Sequence, residues 1–169
     1  MKREGGLWDQ LTSFRNLLRA AERARRGKRD QPNVARFDFH LENELFRFQT
    51  ELKEKTYAPE RYRTFTIYDP KKRLISEAPF RDRVVHHALC GILEPIFERG
   101  FIFHSYACRR GKGTHAAVDR FEAWAERFPY VLQGDVAKFF HSIDHEVLKG
   151  RIRRRVKRSG CLMARGPHH

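Results

Sequence analysis

Apolar spacing divides the first third of the chain into two predicted helices. From Leu7 to Arg26, apolar side chains recur every three or four residues and arginines follow another side, a pattern typical of an amphipathic basic helix. Residues 27–33 form a polar break that contains Pro32. The next apolar positions resume a spacing of three and four and predict a second helix: Leu41, Leu45, Phe48 and Leu52.

A change to a period of two marks a β-hairpin near the middle of the chain. Tyr62 to Tyr68 is aromatic or β-branched at most positions, which predicts a strand. The next four residues, 69–72, supply turn chemistry, and residues 73–78 can return as the second strand. The tip of this hairpin is basic.

The second half of the chain is predicted to mix helices with one strand. Helical spacing runs over residues 81–97, with Pro95 expected to bend or end the helix, and a further helix begins near Thr114. Three later segments are a short apolar strand, a basic helix and an aperiodic tail expected to be disordered: 130–136, 145–158 and 159–169.

The charge balance favours a polyanionic partner. Lys plus Arg total 35 against 21 acids, which gives a net charge of +14. Contacts with phosphates release condensed counterions, so nucleic acid is the leading partner class, and a solvated basic surface is the alternative.

Cysteine usage and hydropathy indicate a cytoplasmic protein. The three cysteines are odd in number and form no CxxC pair, which favours a reducing compartment. There is no apolar signal region near the start and no run of about 18 apolar residues, so neither a signal peptide nor a membrane span is expected.

The most specific motif is YVLQGDVAKFFHSIDH at residues 130–145. It resembles the first palm motif of reverse transcriptases of the group II intron and diversity-generating type. Nucleotidyl transfer needs divalent ions held by hard oxygen ligands, and a strand end is a rigid place for such a ligand.

The resemblance implies a catalytic, metal-binding role for Asp135, with the carbonyl of Val136 as a further ligand of Mg²⁺. It implies that Phe140 lies under the sugar and excludes a 2′-hydroxyl, as part of the dNTP site. The alternatives are that Asp135 is a loop or capping residue and that Phe139 and Phe140 belong to a core.

A second motif, PKKRLISEAPFRDRVVHHAL at residues 70–89, is similar to the fingers hairpin and following helix of the same enzymes. There a Lys and an Arg bind the triphosphate of the incoming dNTP, a task that suits charge-assisted contacts. Arg73 matches the arginine, and either Lys71 or Lys72 matches the lysine. A solvated basic turn is the alternative.

A third motif, FIFHSYACRRGKGTHAA at residues 101–117, resembles the family segment that opens a helix after a glycine-containing loop. It implies template or nucleotide contacts by Arg109, Arg110 and Lys112. A Walker-type phosphate loop is excluded, because its first glycine would fall at Tyr106.

The resemblance implies an α+β fold: helix-rich fingers with a β-hairpin, plus the first strand and helix of an incomplete polymerase palm. The expected organisation is N-terminal helices and fingers over 1–129, a first palm segment over 130–158 and an aberrant tail over 159–169. The implied function is a fragment of an RNA-directed DNA polymerase whose partners are an RNA template, a DNA primer strand, deoxynucleoside triphosphates and Mg²⁺.

The sequence departs from this family in lacking a second palm motif. No two aspartates are adjacent, and the last acid is Glu146. The end of the chain, 161–169, does not resemble the family, which indicates a frameshift, a fragmentary gene or an engineered end. The isolated chain is therefore expected not to polymerise.

Two other functions remain open from the residues. A non-enzymatic nucleic-acid-binding module is favoured by the missing aspartates and by the run of basic residues over 151–158. A zinc protein is disfavoured, because no four ligands have the usual spacing; the candidate groups would be His86 and His87 with Cys90, or His141 with His145.

Overall fold

The structure is a computed structural model that describes residues 3–68 and 70–157. The chain forms two compact units. Of the described residues, the N-terminal unit holds 4–94 with Lys157, and the C-terminal unit holds Arg3 with 95–156. The boundary at 94/95 separates two compact units and does not test the functional boundary expected at 129/130, which stays a prediction.

The N-terminal unit begins with two helices where one was expected. α1 spans Leu7–Leu11 and α2 spans Phe14–Ala24, so the prediction of one helix over 7–26 is wrong. Ser13 is extended and its hydroxyl accepts the N–H of Asn16 at 3.3 Å. A serine that caps a new helix competes with continuation of the old one, which explains the break.

The expected polar break is partly helical. α3 spans Pro32–Phe39, with the proline in its first turn. Because the N–H that proline lacks is unpaired at a helix start in any case, Pro32 begins this helix and does not interrupt one. α4 spans Leu41–Glu54 and confirms the second predicted helix, with Leu45, Phe48 and Leu52 buried.

A long helix completes the core of this unit. α5 spans Phe80–Glu98 and confirms the predicted helix, which continues through Pro95 to Glu98. The core packs apolar side chains of α2, α3, α4 and α5 around Phe48, which is fully buried. Its other members include Leu17, Val34, Phe37, Leu45, Phe80 and Val84.

The predicted hairpin is confirmed. β1 spans Arg63–Tyr68, β2 spans Lys72–Glu77, and the two are antiparallel. The register runs from Arg63 opposite Glu77 to Tyr68 opposite Lys72. The coarse α+β class is thereby confirmed.

The C-terminal unit contains three helices with little buried surface. α6 spans Thr114–Ala125, α7 spans Phe139–Ser142 and α8 spans His145–Arg155. None of these helices has a buried residue, although Ile96 and Val156 elsewhere in the unit are buried. The starts of α6 and α8 agree with the sequence; Arg158 and the tail expected over 159–169 lie outside the described residues.

The strand predicted over 130–136, the first palm strand of the expected fold class, is wrong. This segment is irregular, with Tyr130 90% and Leu132 97% exposed. A strand needs a partner for its backbone N–H and C=O groups. Over 3–68 and 70–157 the strands are β1 and β2, which pair with each other, so the segment has no strand beside it.

Candidate nucleic-acid interface

The hairpin tip presents unpaired positive charge. Lys71, Lys72 and Arg73 are all exposed. None of the three forms an ion pair within the part of the chain that the structure describes. The tip is therefore free to contact an anion.

The register of the hairpin separates two of these cations. Arg73 lies opposite Ile67, and Lys72 lies opposite Tyr68. Successive side chains of a strand point to opposite faces. Arg73 therefore shares the face of Ile67 and Ile75, which is partly covered, whereas Lys72 extends from the exposed face.

A buried carboxylate anchors the base of the hairpin. Asp82, in the first turn of α5, is fully buried and accepts the hydroxyl of Tyr57 at 2.6 Å and the N–H of Glu60 at 2.9 Å. These bonds tie the segment that leads into β1 to α5. Burial, together with the hydrogen bond to Asp82, raises the pKa of Tyr57 well above its usual range.

Arg81 adds a second layer to this anchor. Its guanidinium pairs with Glu51 and lies 3.9 Å from Glu44, with its carbon 4.6 Å from the ring centroid of Phe48. Burial acts to raise the pKa of Glu51, but hydrogen bonds and charges from Arg81 and Arg47 outweigh it, so this pKa is lowered. Sequence reasoning missed Arg81 and Asp82, because charged residues at a helix start are ordinarily solvated.

A row of arginines faces solvent along α2. Arg15, Arg19 and Arg23 recur at helical spacing and are exposed, and the exposed Arg26 follows the end of the helix. Among the described residues none of them has an ion-pair partner, whereas Arg25 pairs with Asp38 at 3.1 Å. This row continues the basic character of the N-terminal unit.

Arg109 holds the glycine-containing loop of the C-terminal unit together. Its Nη1 donates to the carbonyls of Ile102 and Ser105, each at 2.9 Å, and its Nε donates to Glu98 at 2.6 Å. Only 11% of its side chain is exposed. Arg109 therefore has an internal role here, its contact with a template stays a prediction, and Arg110 beside it is exposed.

Lys112 packs on aromatic rings. Its Nζ donates to the carbonyl of Phe103 and lies 3.7 Å from the ring centroid of Phe103 and 5.0 Å from that of Tyr106. Desolvation, and then the charge of Arg109, lower the pKa of Lys112. This cation lies at the edge of an open cavity of about 360 Å³ between the loop and α6.

The residues of the palm-like motif lie in exposed backbone. The Oδ1 atom of Asp135 accepts the N–H of Val136 at 2.9 Å, a local contact. Phe140, in α7, is 83% exposed, and its ring centroid lies 5.3 Å from that of Phe139. Both aromatic rings are thus outside any core in this structure.

Asp144 serves as the N-cap of α8. Its Oδ1 accepts the N–H groups of Glu146 and Val147 at 2.7 and 3.0 Å. These backbone hydrogen bonds lower the pKa of Asp144. Capping explains this aspartate without a catalytic role.

Metal-ligating side chains do not converge in the described ranges. No three His, Cys, Asp or Glu residues come close enough there to hold a metal ion. Asp135 with the carbonyl of Val136 would offer one carboxylate, which does not fit a two-ion centre by itself. In the same ranges no helix is long and apolar enough to cross a membrane.

Comparison with known proteins gives partial relatives. No protein-family model matches the chain. It is 34% identical over 88 residues to the nuclear intron maturase 1, mitochondrial, of Arabidopsis thaliana, a match that covers 51% of this chain and 12% of that protein. It is 28% identical over 123 residues to the group II intron-encoded protein LtrA of Lactococcus lactis, covering 71% of this chain and 20% of that protein.

The chain is also similar to part of a third protein. A third relative, protein YkfC of Escherichia coli, is 29% identical over 99 residues, which are 53% of this chain and 26% of that protein. The matches thus span about an eighth to a quarter of the length of these relatives. Two of these partial relatives are named as an intron maturase and a group II intron-encoded protein, and the similarity extends no further than that.

Proposed function

We propose that this chain is part of an RNA-directed DNA polymerase related to group II intron proteins, and that it supplies fingers that bind nucleic acid and a deoxynucleoside triphosphate. The observation that carries the proposal is the hairpin: three exposed cations at its tip and a buried anchor at its base. The partial similarity to a maturase and to a group II intron-encoded protein supports it.

Arg73 is the proposed triphosphate ligand of the hairpin. A guanidinium can donate two parallel hydrogen bonds to phosphate oxygens, which a lysine cannot. Because Lys72 extends from the opposite face, we propose Lys71, in the turn before β2, as the second cation of this site. The choice that the sequence left open between the two lysines thus becomes testable.

RNA is the proposed template and a DNA strand the proposed primer. The net charge of +14 and the exposed arginine row on α2 supply the electrostatic attraction. Arg110 is placed in the same role in the C-terminal unit. The names of the relatives, which refer to introns, support an RNA partner.

The proposal assigns no catalytic step to these 169 residues. Asp135 and Val136 are proposed to contribute to a Mg²⁺ site, and Phe140 to contact the sugar, only when further carboxylates are supplied. One carboxylate cannot neutralise two divalent ions, and the sequence has no adjacent aspartates to add. Binding without polymerisation is the expected behaviour of the chain.

A non-enzymatic nucleic-acid-binding module is the second candidate. The exposed residues Arg151 and Arg154 on α8 favour it. Such a module would bind RNA without any preference for a triphosphate at the hairpin.

The deciding experiment measures binding of a fluorescent dNTP and of single-stranded RNA to the purified chain. Arg73→Ala and Lys71→Ala should each weaken dNTP binding by about tenfold, the loss of one charge-assisted contact. Lys72→Ala is the matched control and should leave it within twofold. RNA binding with no dNTP binding would select the second candidate, and no binding of either ligand would refute both.

Primer extension with Mg²⁺ tests the catalytic part separately. The chain should not extend a DNA primer on an RNA template. Templated synthesis would contradict the proposal that carboxylates are missing.

A further inference from the structure

The C-terminal unit has an open, shallow cavity between its glycine-containing loop and α6. Its volume of about 360 Å³ lies near the lower end of the range for small-ligand sites. The rings of Phe103 and Tyr106 line one part of it, and Ala116, Asp119 and Arg120 of α6 line another. Flat apolar surface beside polar groups suits a nucleobase.

Two cations lie at this cavity. Lys112 is held on Phe103 and Tyr106, and the guanidinium carbon of Arg120 lies 5.9 Å from the ring centroid of Trp124. Both side chains lie against aromatic rings, which reduces the freedom that they would lose on binding phosphate. The cavity therefore offers phosphate contacts next to a surface for a base.

Asp119 is the acid in this lining. It is exposed, and it makes no ion pair or hydrogen bond with any residue of 3–68 or 70–157. Its carboxylate keeps all of its acceptor capacity. A carboxylate repels phosphate, so within a nucleotide Asp119 suits the part that carries hydrogen-bond donors, such as the N–H groups of a base.

We propose that this cavity binds one unpaired guanine of a single-stranded RNA, with Asp119 as the specificity-determining residue. Guanine presents two adjacent donors, N1–H and the N2 amino group, and a carboxylate can accept both at once. Adenine and cytosine each place an acceptor next to their amino group, and uracil flanks its N–H with two carbonyls. The two oxygens of Asp119 therefore select guanine.

The inference rests on the proposed function only in requiring that the chain bind RNA. It adds a base preference that neither electrostatic attraction nor the hairpin provides. The same guanine chemistry could come from a free nucleotide, but Lys112 and Arg120 give the cavity two cations, which can contact successive phosphates of a strand. A guanine within a strand is the occupant that uses both.

The test compares fluorescently labelled RNA hexamers that differ at one position: oligo(A) with a single central guanine, inosine or adenine. The guanine hexamer should bind about 5- to 20-fold more tightly than the adenine hexamer, the lower part of the range for a bidentate contact because Asp119 is exposed. Inosine, which lacks the N2 amino group, should fall between them.

Asp119→Asn should abolish the preference for guanine while binding to the adenine hexamer stays within twofold. Glu122→Gln is the matched control, since Glu122 is an exposed acid of the same helix that does not line the cavity, and it should retain the preference. Phe103→Ala should weaken binding to all three hexamers.

The outcomes separate the two proposals. Equal affinity for the three hexamers, or a preference that survives Asp119→Asn, would overturn the guanine site and leave RNA binding intact. Absence of binding to any hexamer would overturn the proposed function itself. Competition by GMP at the concentration of the hexamer would show that the occupant is a free nucleotide and would overturn the assignment to a strand.

Discussion

The anchor at Asp82 is expected to contribute several kcal/mol to folding of the N-terminal unit. Asp82→Ala would leave the hydroxyl of Tyr57 and the N–H of Glu60 without their acceptor. A hydrogen bond to a charged group is worth about 1.5 to 3 kcal/mol, and two such bonds would be lost. The expected loss is about 3 to 5 kcal/mol, a large part of the stability of an ordinary domain.

Two further variants divide this loss between the bonds. Tyr57→Phe removes one bond and should cost about 1.5 to 3 kcal/mol. Asp82→Asn should cost less than Asp82→Ala, because the hydroxyl of Tyr57 can reverse and accept from the new amide while the remaining oxygen accepts from Glu60. The pair Tyr57→Phe and Asp82→Ala should show a coupling energy above about 1 kcal/mol.

Urea unfolding followed by circular dichroism measures these differences. Asp30→Ala, at an exposed acid between α2 and α3, is the control and should change the free energy of unfolding by less than about 0.5 kcal/mol. A loss below 1 kcal/mol for Asp82→Ala, or purely additive losses in the double variant, would refute the role of this carboxylate.

Three other predictions test the charges described above. Because the pKa of Glu51 is lowered, its contribution to the free energy of unfolding is fully present above its ordinary pKa of 4.5 and is lost as the pH falls through its lower folded-state pKa. Glu51→Gln should therefore flatten the acid side of a plot of the urea midpoint against pH. An unchanged slope would contradict this. Arg109→Lys should speed thermolysin cleavage within residues 101–113 several-fold, because one ammonium cannot reproduce the contacts with both carbonyls and Glu98. Equal cleavage rates would show that other contacts hold this loop. The double variant Arg15→Gln and Arg19→Gln should reduce the slope of log K against log salt for single-stranded RNA by about 1.4, whereas the control Lys53→Gln should not. An unchanged slope in the double variant would exclude α2 from the interface.

Period and turn chemistry predicted the elements that pack on the core. α4, the hairpin and α5 were all readable, because their apolar positions face a buried surface at the spacing of the element. The break at Ser13 was missed, since the apolar period continues across it while a side-chain cap decides the backbone. Pro32 was interpreted as an interruption although proline also starts helices.

The candidate site was less predictable than the fold. The basic hairpin tip could be located from composition, but the separation of Lys72 from Arg73 needed the strand register. Arg109 was expected to contact a template, which stays a prediction, and its internal contacts with two carbonyls and an acid were not foreseen. Asp119 gave no signal at all, because nothing in a helical sequence shows which acid will border a cavity.

The apolar segment at 130–136 shows why a strand cannot be read from one stretch of chain. Its composition suits a buried strand, yet pairing depends on backbone groups supplied from elsewhere. Such a segment has the composition of a strand, but it forms one only where another strand supplies hydrogen-bond partners for its backbone.

The anchor at the base of the hairpin affects where the N-terminal unit opens locally. A two-stranded hairpin by itself is only marginally stable in water, so the β1–β2 pair depends on the anchor at its base for its stability. Amide hydrogens near Tyr68 and Lys72 should exchange with solvent through frequent local openings, while those beside Arg63 and Glu77 should be protected for longer. The hairpin would then be rigid at its base next to α5 and flexible at its tip, where an anion would first make contact.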